Sequence, residues 1–407
     1  MLASRSQNRA LKRRLSALPH PLESVESATR REIAIFRSNL FRISEPFVWQ
    51  QAERMQRYRA RYLGRLRFGD GPQGAGSDVV EDLAPRFRLA LAAWQMLSRS
   101  VGPYQRLLGE RRPALIHAHF GIDAVYALPL AQRLGVPLVT TFHGYDATLS
   151  TPALLTSPAW FRYPLHRRAL AQNGALFLCA SEFLRQRVLA LGFPEARTHV
   201  HYTGVDPTSI TPRTGAEEAL NILHVARLVE VKGTRYLIAA FAKIATQHPA
   251  ATLTIIGDGP LRAALEQLAA SLGIRNRVHF AGAQPHAAVL AAMRRAAMLV
   301  LPSVTTTTGR TEGLGMVLLE AAATGVALVG SRQGGIPEAV IDGVTGLLAD
   351  EKNVDELAAR IDRLLREPDT RRAMGAAGRA RIEQHFDIRT QTAALEAHYD
   401  ALLTKRV

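Results

Sequence analysis

Glu312 and Glu320 flank Gly313 and Gly315 where a polar loop runs into an apolar stretch, and far upstream a basic pair, Arg227 and Lys232, closes another apolar run. Carboxylates can hold the hydroxyls of a ribose and a sugar, while the two cations can neutralise a diphosphate. Glycines beside them let backbone approach such a ligand closely. The set reads as a site for a sugar nucleotide, and it is the most specific feature of the chain.

The local pattern indicates where each residue stands. In His224-Val-Ala-Arg-Leu-Val-Glu-Val-Lys-Gly-Thr234 a strand ends at Arg227 and a helix is expected from about Lys232-Gly233, so both cations emerge at one sheet edge. An isolated pair would read as surface salt bridges. The glycine turn and the scarcity of lysine, with only Lys12, Lys232, Lys243, Lys352 and Lys405 in the chain, favour phosphate binding. Ile255-Ile-Gly-Asp-Gly-Pro260 spells a strand, a turn and a helix start, with Asp258 as cap and Pro260 in the first turn. Local structure explains most of that motif, including Gly257. Phe280-Ala-Gly282 reads equally as strand-end packing or as a loop whose backbone meets a nucleobase.

Glu312 precedes the helix that begins near Met316, whose free N–H groups suit an anion, and Glu320 lies within it. The two are therefore not the facing carboxylates of a glycosidase, which stand about 5 to 9.5 Å apart across one bond. Glu320 is embedded in Met316-Val-Leu-Leu-Glu-Ala-Ala-Ala323, where a carboxylate needs a partner. In the first half, Thr140-Thr-Phe-His-Gly-Tyr-Asp146 follows a buried strand and brings His143 and Asp146 to the same kind of edge. His117 and His119 flank another strand end; one is expected to pack or cap, and His119 is the one kept as a candidate. No compact carboxylate and cysteine partners accompany these histidines and no Asp-x-Asp pair occurs, so no metal is required.

A chain of 407 residues with 47% hydrophobic content can bury two cores. Strand-like runs at Ile33 to Phe36, Ala114 to His117, Pro137 to Thr141 and Ala175 to Cys179 alternate with helical patterns. The alternation resumes at Ile222 to Val225, Leu253 to Ile256, Val278 to Phe280, Met298 to Leu301 and Val326 to Val329. This predicts an α/β fold of two Rossmann-like, doubly wound domains whose facing strand ends enclose a cleft. The expected divisions are a flexible basic arm over 1–31, a first domain over 32–208, a linker over 209–219, a second domain over 220–386, and a terminal segment over 387–407. Gly69 to Ser77 is expected to be a mobile surface loop, and Val205 to Gly215 the hinge.

The formal charge is +16, and residues 1–112 hold 21 Lys+Arg against 10 Asp+Glu. Such a basic domain suits anionic lipid, nucleic acid or a phosphorylated substrate, or is simply a solvated arginine-rich surface. The single cysteine, Cys179, excludes an internal disulfide and sits in an apolar run as a buried strand residue would. No apolar stretch is long enough to span a bilayer and the N-terminus lacks the apolar core of a signal peptide, so a cytoplasmic location is expected.

Two other classes fit parts of the sequence. Gly69-Asp-Gly-Pro-Gln-Gly74 matches the G-x-G-x-x-G of a nicotinamide dehydrogenase, but it follows the arginine-rich Arg61 to Arg67 instead of an apolar strand, and Pro72 and the further glycines do not open a helix. A nucleic-acid binder would explain the charge but leaves the glutamates and Arg227 without a task and shows no recognition motif.

In this order the motifs resemble the retaining GT-B glycosyltransferases of family 4, and the resemblance runs from Ile33 to the terminal helix. Its signals are Thr141-Phe-His-Gly-Tyr-Asp146, Ala226-Arg-Leu-Val-Glu-Val-Lys-Gly233, Gly257-Asp-Gly-Pro260, Glu312-Gly-Leu-Gly-Met-Val-Leu-Leu-Glu320 and Gly334-Gly-Ile-Pro-Glu338. Ile43-Ser-Glu-Pro-Phe-Val48 and His117-Ala-His-Phe-Gly121 look like the branch that builds bacterial exopolysaccharide, colanic-acid-like and O-antigen units. The resemblance implies that Arg227 and Lys232 grip the donor diphosphate, Glu320 the ribose, and Glu312 the transferred sugar, with His143 touching that sugar from the other domain. It puts Gly313, Leu314, Gly315 and Met316 near the sugar and phosphates, with Gly257 and Phe280 as further donor-side candidates and His119, Asp146 and Glu45 on the acceptor side. It implies a nucleotide diphosphate sugar as donor substrate with no cofactor and no metal, a glycan or lipid-diphosphate-linked acceptor, and a terminal helix that packs on the first domain. Together with the charge it implies a peripheral position on an anionic membrane and no nucleic-acid partner. A sugar phosphorylase or sugar-phosphate synthase of the same fold is the nearest alternative. Pro46 stands where the family commonly has threonine, and Thr203-Gly204 where asparagine and glycine are frequent, which bears on the acceptor side.

Overall fold

The computed structural model describes residues 30–42, 45–72, 74, 76–214 and 220–404. Among the described residues nine strands lie in the first half: β1 (Arg31–Phe36), β2 (Asn39–Leu40), β3 (Tyr58–Gly64), β4 (Leu66–Arg67), β5 (Ser77–Val79), β6 (Ile116–His119), β7 (Leu138–Phe142), β8 (Leu176–Cys179) and β9 (Thr198–Val200). Seven of them form a sheet in the order β5-β3-β1-β6-β7-β8-β9, and every neighbouring pair is parallel. β6, β7 and β8 are buried along their whole length, as strands covered by helices on both faces must be.

The second half holds β10 (Asn221–Val225), β11 (Thr252–Ile256), β12 (Val278–Gly282), β13 (Met298–Leu301), β14 (Ala327–Ser331) and β15 (Gly346–Ala349). They form a parallel sheet in the order β12-β11-β10-β13-β14-β15. In both sheets the chain starts at an inner strand, winds outward, and returns to the other side, so the winding reverses between β1 and β6 and between β10 and β13. Ligands of doubly wound sheets bind beyond the carboxyl ends of the strands at such reversals.

Three details differ from the sequence reading. β1 begins at Arg31, so the basic arm ends at least one residue earlier than expected; residues 1–29 lie outside the described chain. The arginine-rich run before Gly69 does contain a strand, since β3 pairs with β1 while alternation sends Tyr58 and Tyr62 inward and Arg59 and Arg61 to Glu32 and Asp78. The glycine-rich segment still opens no helix, because β5 follows it. The helix after Pro260 starts at Arg262, and Asp258 accepts from the Gly259 N–H and pairs with Arg262.

The chain leaves the first domain at Val205 and returns beside it: the Val205 N–H donates to the Phe386 carbonyl (2.9 Å) and the Ile388 N–H to the Val205 carbonyl (2.9 Å). The terminal helix, Ile388–Thr404, then buries Leu395 and Tyr399 against Ile33, Ile35, Tyr58 and Val139 of the first domain. Glu396 accepts the Arg57 N–H and Asp400 the Tyr58 hydroxyl, fixing its register. Among the described residues no helix is long and apolar enough to cross a membrane.

Candidate active site

The carboxyl ends of both sheets face a cleft of about 690 Å³ lined from the first domain by Pro46, Phe47, His143 and Thr203, and from the second by Arg227, Lys232, Gly257, Glu312 and Glu320. Leu314, Gly315 and Met316 line it too.

The second-domain wall is built by backbone contact. β10 carries the buried His224, whose Nδ1–H donates to the Val300 carbonyl (2.8 Å), leaving Nε2 to accept from the Thr234 hydroxyl (2.9 Å). Burial holds His224 down to about 4, so this neutral bridge persists at physiological pH and fixes the start of helix Thr234–Ile244. Just before that helix, Gly233 has φ 64°, and a Cβ there would lie 1.8 Å from the Pro302 carbonyl oxygen. The loops after β10 and β13 therefore lie directly on one another, and this sets Lys232 beside Glu312.

Lys232 Nζ donates to Glu312 Oε2 at 2.5 Å and Ser303 Oγ to the same oxygen at 3.2 Å. Burial pushes the Glu312 carboxyl up, but the Lys232 ammonium, these two hydrogen bonds and Arg310 outweigh it and hold Glu312 below the ordinary carboxylate range. Glu312 is thus an ionised acceptor anchored by a cation. Arg227 is exposed at the cleft, with no ion-pair partner among the described residues, so its guanidinium is available to an anion. Glu320, within helix Met316–Thr324, finds the partner its apolar setting requires in His286, at 3.0 Å. That bond raises the His286 pKa.

The first-domain wall centres on His143. Its ring packs against Phe47 (4.6 Å between centroids) and Phe120 (4.8 Å), and its Nε2 shares a hydrogen bond with His119 Nδ1 at 2.9 Å. His119 is buried behind it and stacks on His117, which bonds Tyr399 of the terminal helix (2.6 Å) and Thr141 (2.7 Å). Burial, followed by neighbouring histidines and, for His119 and His143, Arg37, keeps all three imidazoles well below the usual histidine range, so His143 meets the cleft as a neutral ring.

Several candidates stand behind the cleft wall. Asp146 is buried and accepts from the N–H groups of Gly121 (2.8 Å), Gly144 (2.9 Å) and His143 (3.3 Å), which fixes the turn that presents His143. Burial nevertheless lifts it to about 6. Glu45 is held by Arg37 through two bonds of 2.9 and 3.0 Å, and Arg37 also bonds Asp123 and lies over the Phe120 ring. Gly313 is pressed between domains instead of facing the cleft, since a Cβ on it would lie 2.2 Å from the His143 carbonyl oxygen. Phe280 turns into the core with Val278 and Leu265, under Arg275; Ala283 and Gln284, just beyond it, line the cleft.

His286, Ser303 and Arg310 also belong to the site but carry no distinctive signal in the sequence. Arg310 lies over the Tyr145 ring and near Arg227, whose charge, after burial, lowers its pKa. Only its place in the polar loop before Glu312 marked it. His286 opens the apolar helix His286–Arg295 immediately after a proline, a signal too common to single it out.

Two facing Rossmann-like domains, with a cation pair and carboxylates on one wall and an imidazole on the other, define the GT-B class of glycosyltransferase. Residues 48–209 match the model described as Glycosyltransferase Family 4, and residues 209–381 that of Glycosyl transferases group 1. The chain belongs to the family 4 GT-B glycosyltransferases and is a glycosyltransferase. It is 32% identical over 300 residues to a glycogen synthase of Mycobacterium tuberculosis, covering 71% of this chain and 69% of the relative. It is 32% identical over 276 residues to a putative colanic acid biosynthesis glycosyltransferase of Salmonella typhimurium, covering 66% of each. A solved structure of Anabaena HepE with UDP and glucose shares the fold at TM-score 0.71 and 19% identity, over 91% of this chain and 100% of that one.

Proposed function

We propose that this enzyme moves a sugar from a nucleotide diphosphate sugar to a hydroxyl of a glycan acceptor, with retention at the anomeric carbon and without a metal, in the synthesis of a bacterial cell-surface polysaccharide. The acceptor in this reading is linked to a lipid diphosphate, and the enzyme works at the inner face of the plasma membrane. The observation that carries the reading is the Lys232–Glu312 pair beside Arg227, in a cleft whose opposite wall presents His143. The colanic-acid relative supports the polysaccharide assignment.

The chemistry follows from charge. As the anomeric C–O bond breaks, its electron pair passes to the diphosphate, and fixed cations lower that barrier most where water is excluded. Arg227 and Lys232 meet the phosphates, Glu312 binds sugar hydroxyls and Glu320 those of the ribose. A phosphate oxygen of the leaving group takes the acceptor proton while the new C–O bond forms on the same face, so no protein base is assigned. His143, neutral, can hydrogen-bond the sugar without adding a charge that would compete for the diphosphate.

The test is incubation with a panel of UDP- and GDP-sugars and lipid-linked acceptors in chelator, with product mass and anomeric configuration read by mass spectrometry and NMR. Retention with nucleoside diphosphate release is expected. An inverted product, loss of turnover in chelator, or a sugar phosphate formed from inorganic phosphate would overturn the corresponding part.

A further inference from the structure

The segments 83–109 and 147–181 of the first domain contain no aspartate or glutamate. The first includes helix Arg88–Ser98, whose outward face carries Leu89, Ala90, Ala93, Trp94 and Leu97; Phe87 beside it is 71% exposed, Trp94 50% and Leu97 53%. The second includes helix Arg162–Asn173 with Leu165 60% exposed. The two segments touch, because Arg162 donates to the Leu97 carbonyl, and Arg99 and Arg162, after burial, hold His166 below its ordinary range. Arg86 beside Phe87, and Arg167 and Arg168 just after Leu165, have no ion-pair partner among the described residues. Glu81 and Asp82, which precede the first segment, pair with Arg88 and Arg67.

Exposed aromatic and aliphatic side chains rimmed by unpaired arginines match an anionic bilayer, which offers hydrocarbon beneath a negative surface. A second copy of the chain would bring a like-charged face, which disfavours self-association. We propose that this face seats on an anionic lipid surface, with Phe87, Leu89, Trp94, Leu97 and Leu165 entering the headgroup region. The second segment also reaches the loop that leads to Glu312, since the Ser150 N–H donates to the Thr308 carbonyl (2.8 Å). Docking here holds the cleft mouth near a lipid-linked acceptor, a consequence that rests on the function proposed above.

The test is flotation of the full chain with phosphatidylcholine vesicles, with and without about 30% phosphatidylglycerol, at moderate salt. Preferential flotation with the anionic vesicles is expected, with a blue shift of emission that Trp94→Phe abolishes while still floating. Trp94→Glu with Leu97→Glu should lower the bound fraction at least tenfold, and Arg167→Ala or Arg168→Ala about fivefold each. The arginine variants keep the test decisive if the double glutamate variant does not fold. Absence of wild-type flotation, or variants that float like wild type, would overturn the proposal. So would a dimer in sedimentation equilibrium that Trp94→Glu with Leu97→Glu dissolves, since the face would then be a self-interface. Flotation uses no sugar nucleotide, so a chain that floats but transfers nothing supports docking and counts against the catalytic reading alone.

Discussion

Replacing Lys232 by methionine removes a charge and keeps most of the side-chain volume, so it isolates the electrostatic role assigned to the ammonium. If Lys232 stabilises charge on the departing diphosphate, turnover should fall by about 10² to 10³, the effect of losing one preorganised donor in a transition state. The same substitution strips Glu312 of its closest counter-charge. Breaking a fully buried ion pair costs about 3–5 kcal/mol. Here Lys232 is 21% and Glu312 15% exposed, and Ser303 remains, so ~2 kcal/mol is the reasonable figure after screening.

The pH dependence separates this account from general damage. In the wild type Glu312 is held below its unfolded pKa, so it contributes stability that is present above the ordinary carboxylate range and lost as pH falls through its folded pKa. Without Lys232 the burial effect gains weight, the Glu312 pKa rises, and the variant is penalised most where the carboxylate must stay ionised. The difference in unfolding free energy between the two proteins should therefore be largest near neutrality and shrink as pH falls toward about 4.5. Urea melts across that range, paired with initial rates of nucleoside diphosphate release, measure both effects. A pH-independent difference, or turnover within about threefold of wild type, would refute the reasoning.

Glu320→Gln should raise KM for the sugar nucleotide about tenfold or more with a smaller change in kcat, as expected for a lost bond to a charged acceptor, whereas His286→Ala, half out of solvent, should stay within about fivefold; steady-state kinetics decide. Gly233→Ala must accept both φ 64° and a Cβ 1.8 Å from the Pro302 carbonyl, so melting temperature should drop and turnover should fall about as far as when Lys232 itself is lost. Burial depresses His117, His119 and His143, and likewise His201 to about 3 and His224 to about 4. The unfolded chain protonates first as pH drops, so stability is complete above about 6.5 and should then decline more steeply than the ~1.4 kcal/mol per pH unit of one group. Denaturation titrations check the slope, and a shallow single-proton decline would contradict neutral burial of this cluster.

The parallel sheets were legible because their strands are continuous apolar runs, and Leu138–Phe142 and Met298–Leu301 stand within a residue of where the pattern sets them. Tyr58–Gly64 was not, because alternation of tyrosine with arginine disguises a strand whose arginines find acids on neighbouring strands. Site residues on strand ends, such as Arg227 and His143, could be read from position in the chain. Their arrangement in three dimensions could not: the local pattern that brings both histidines to strand ends does not show that His119 lies behind His143, and it leaves open whether Phe280 turns inward. Pairings such as Glu320 with His286 depend on which helix lies alongside, and that is set by sheet order.

The distance between the two walls is set largely by backbone. The Gly313 carbonyl accepts from Ser181 Oγ of the first domain at 2.7 Å, and a side chain on Gly313 would collide with the His143 carbonyl. From behind, Gly334 and Gly335 lie so close that added Cβ atoms would meet the carbonyls of Glu312 and Gly313 at 2.2 and 2.0 Å. Glu338, next in that motif, reaches across to accept the N–H groups of Glu182 (2.8 Å) and Phe183 (2.9 Å) and the Tyr202 hydroxyl (3.0 Å). There it supplies the negative charge that the N-terminus of helix Glu182–Ala190 favours. The segment bearing Glu312 is thus clamped by glycines of its own domain and latched to the other. It holds Glu312 and Lys232 on one wall opposite His143 on the other, and the reaction proposed above, which rests on fixed charge, depends on that spacing more than on any reactive side chain.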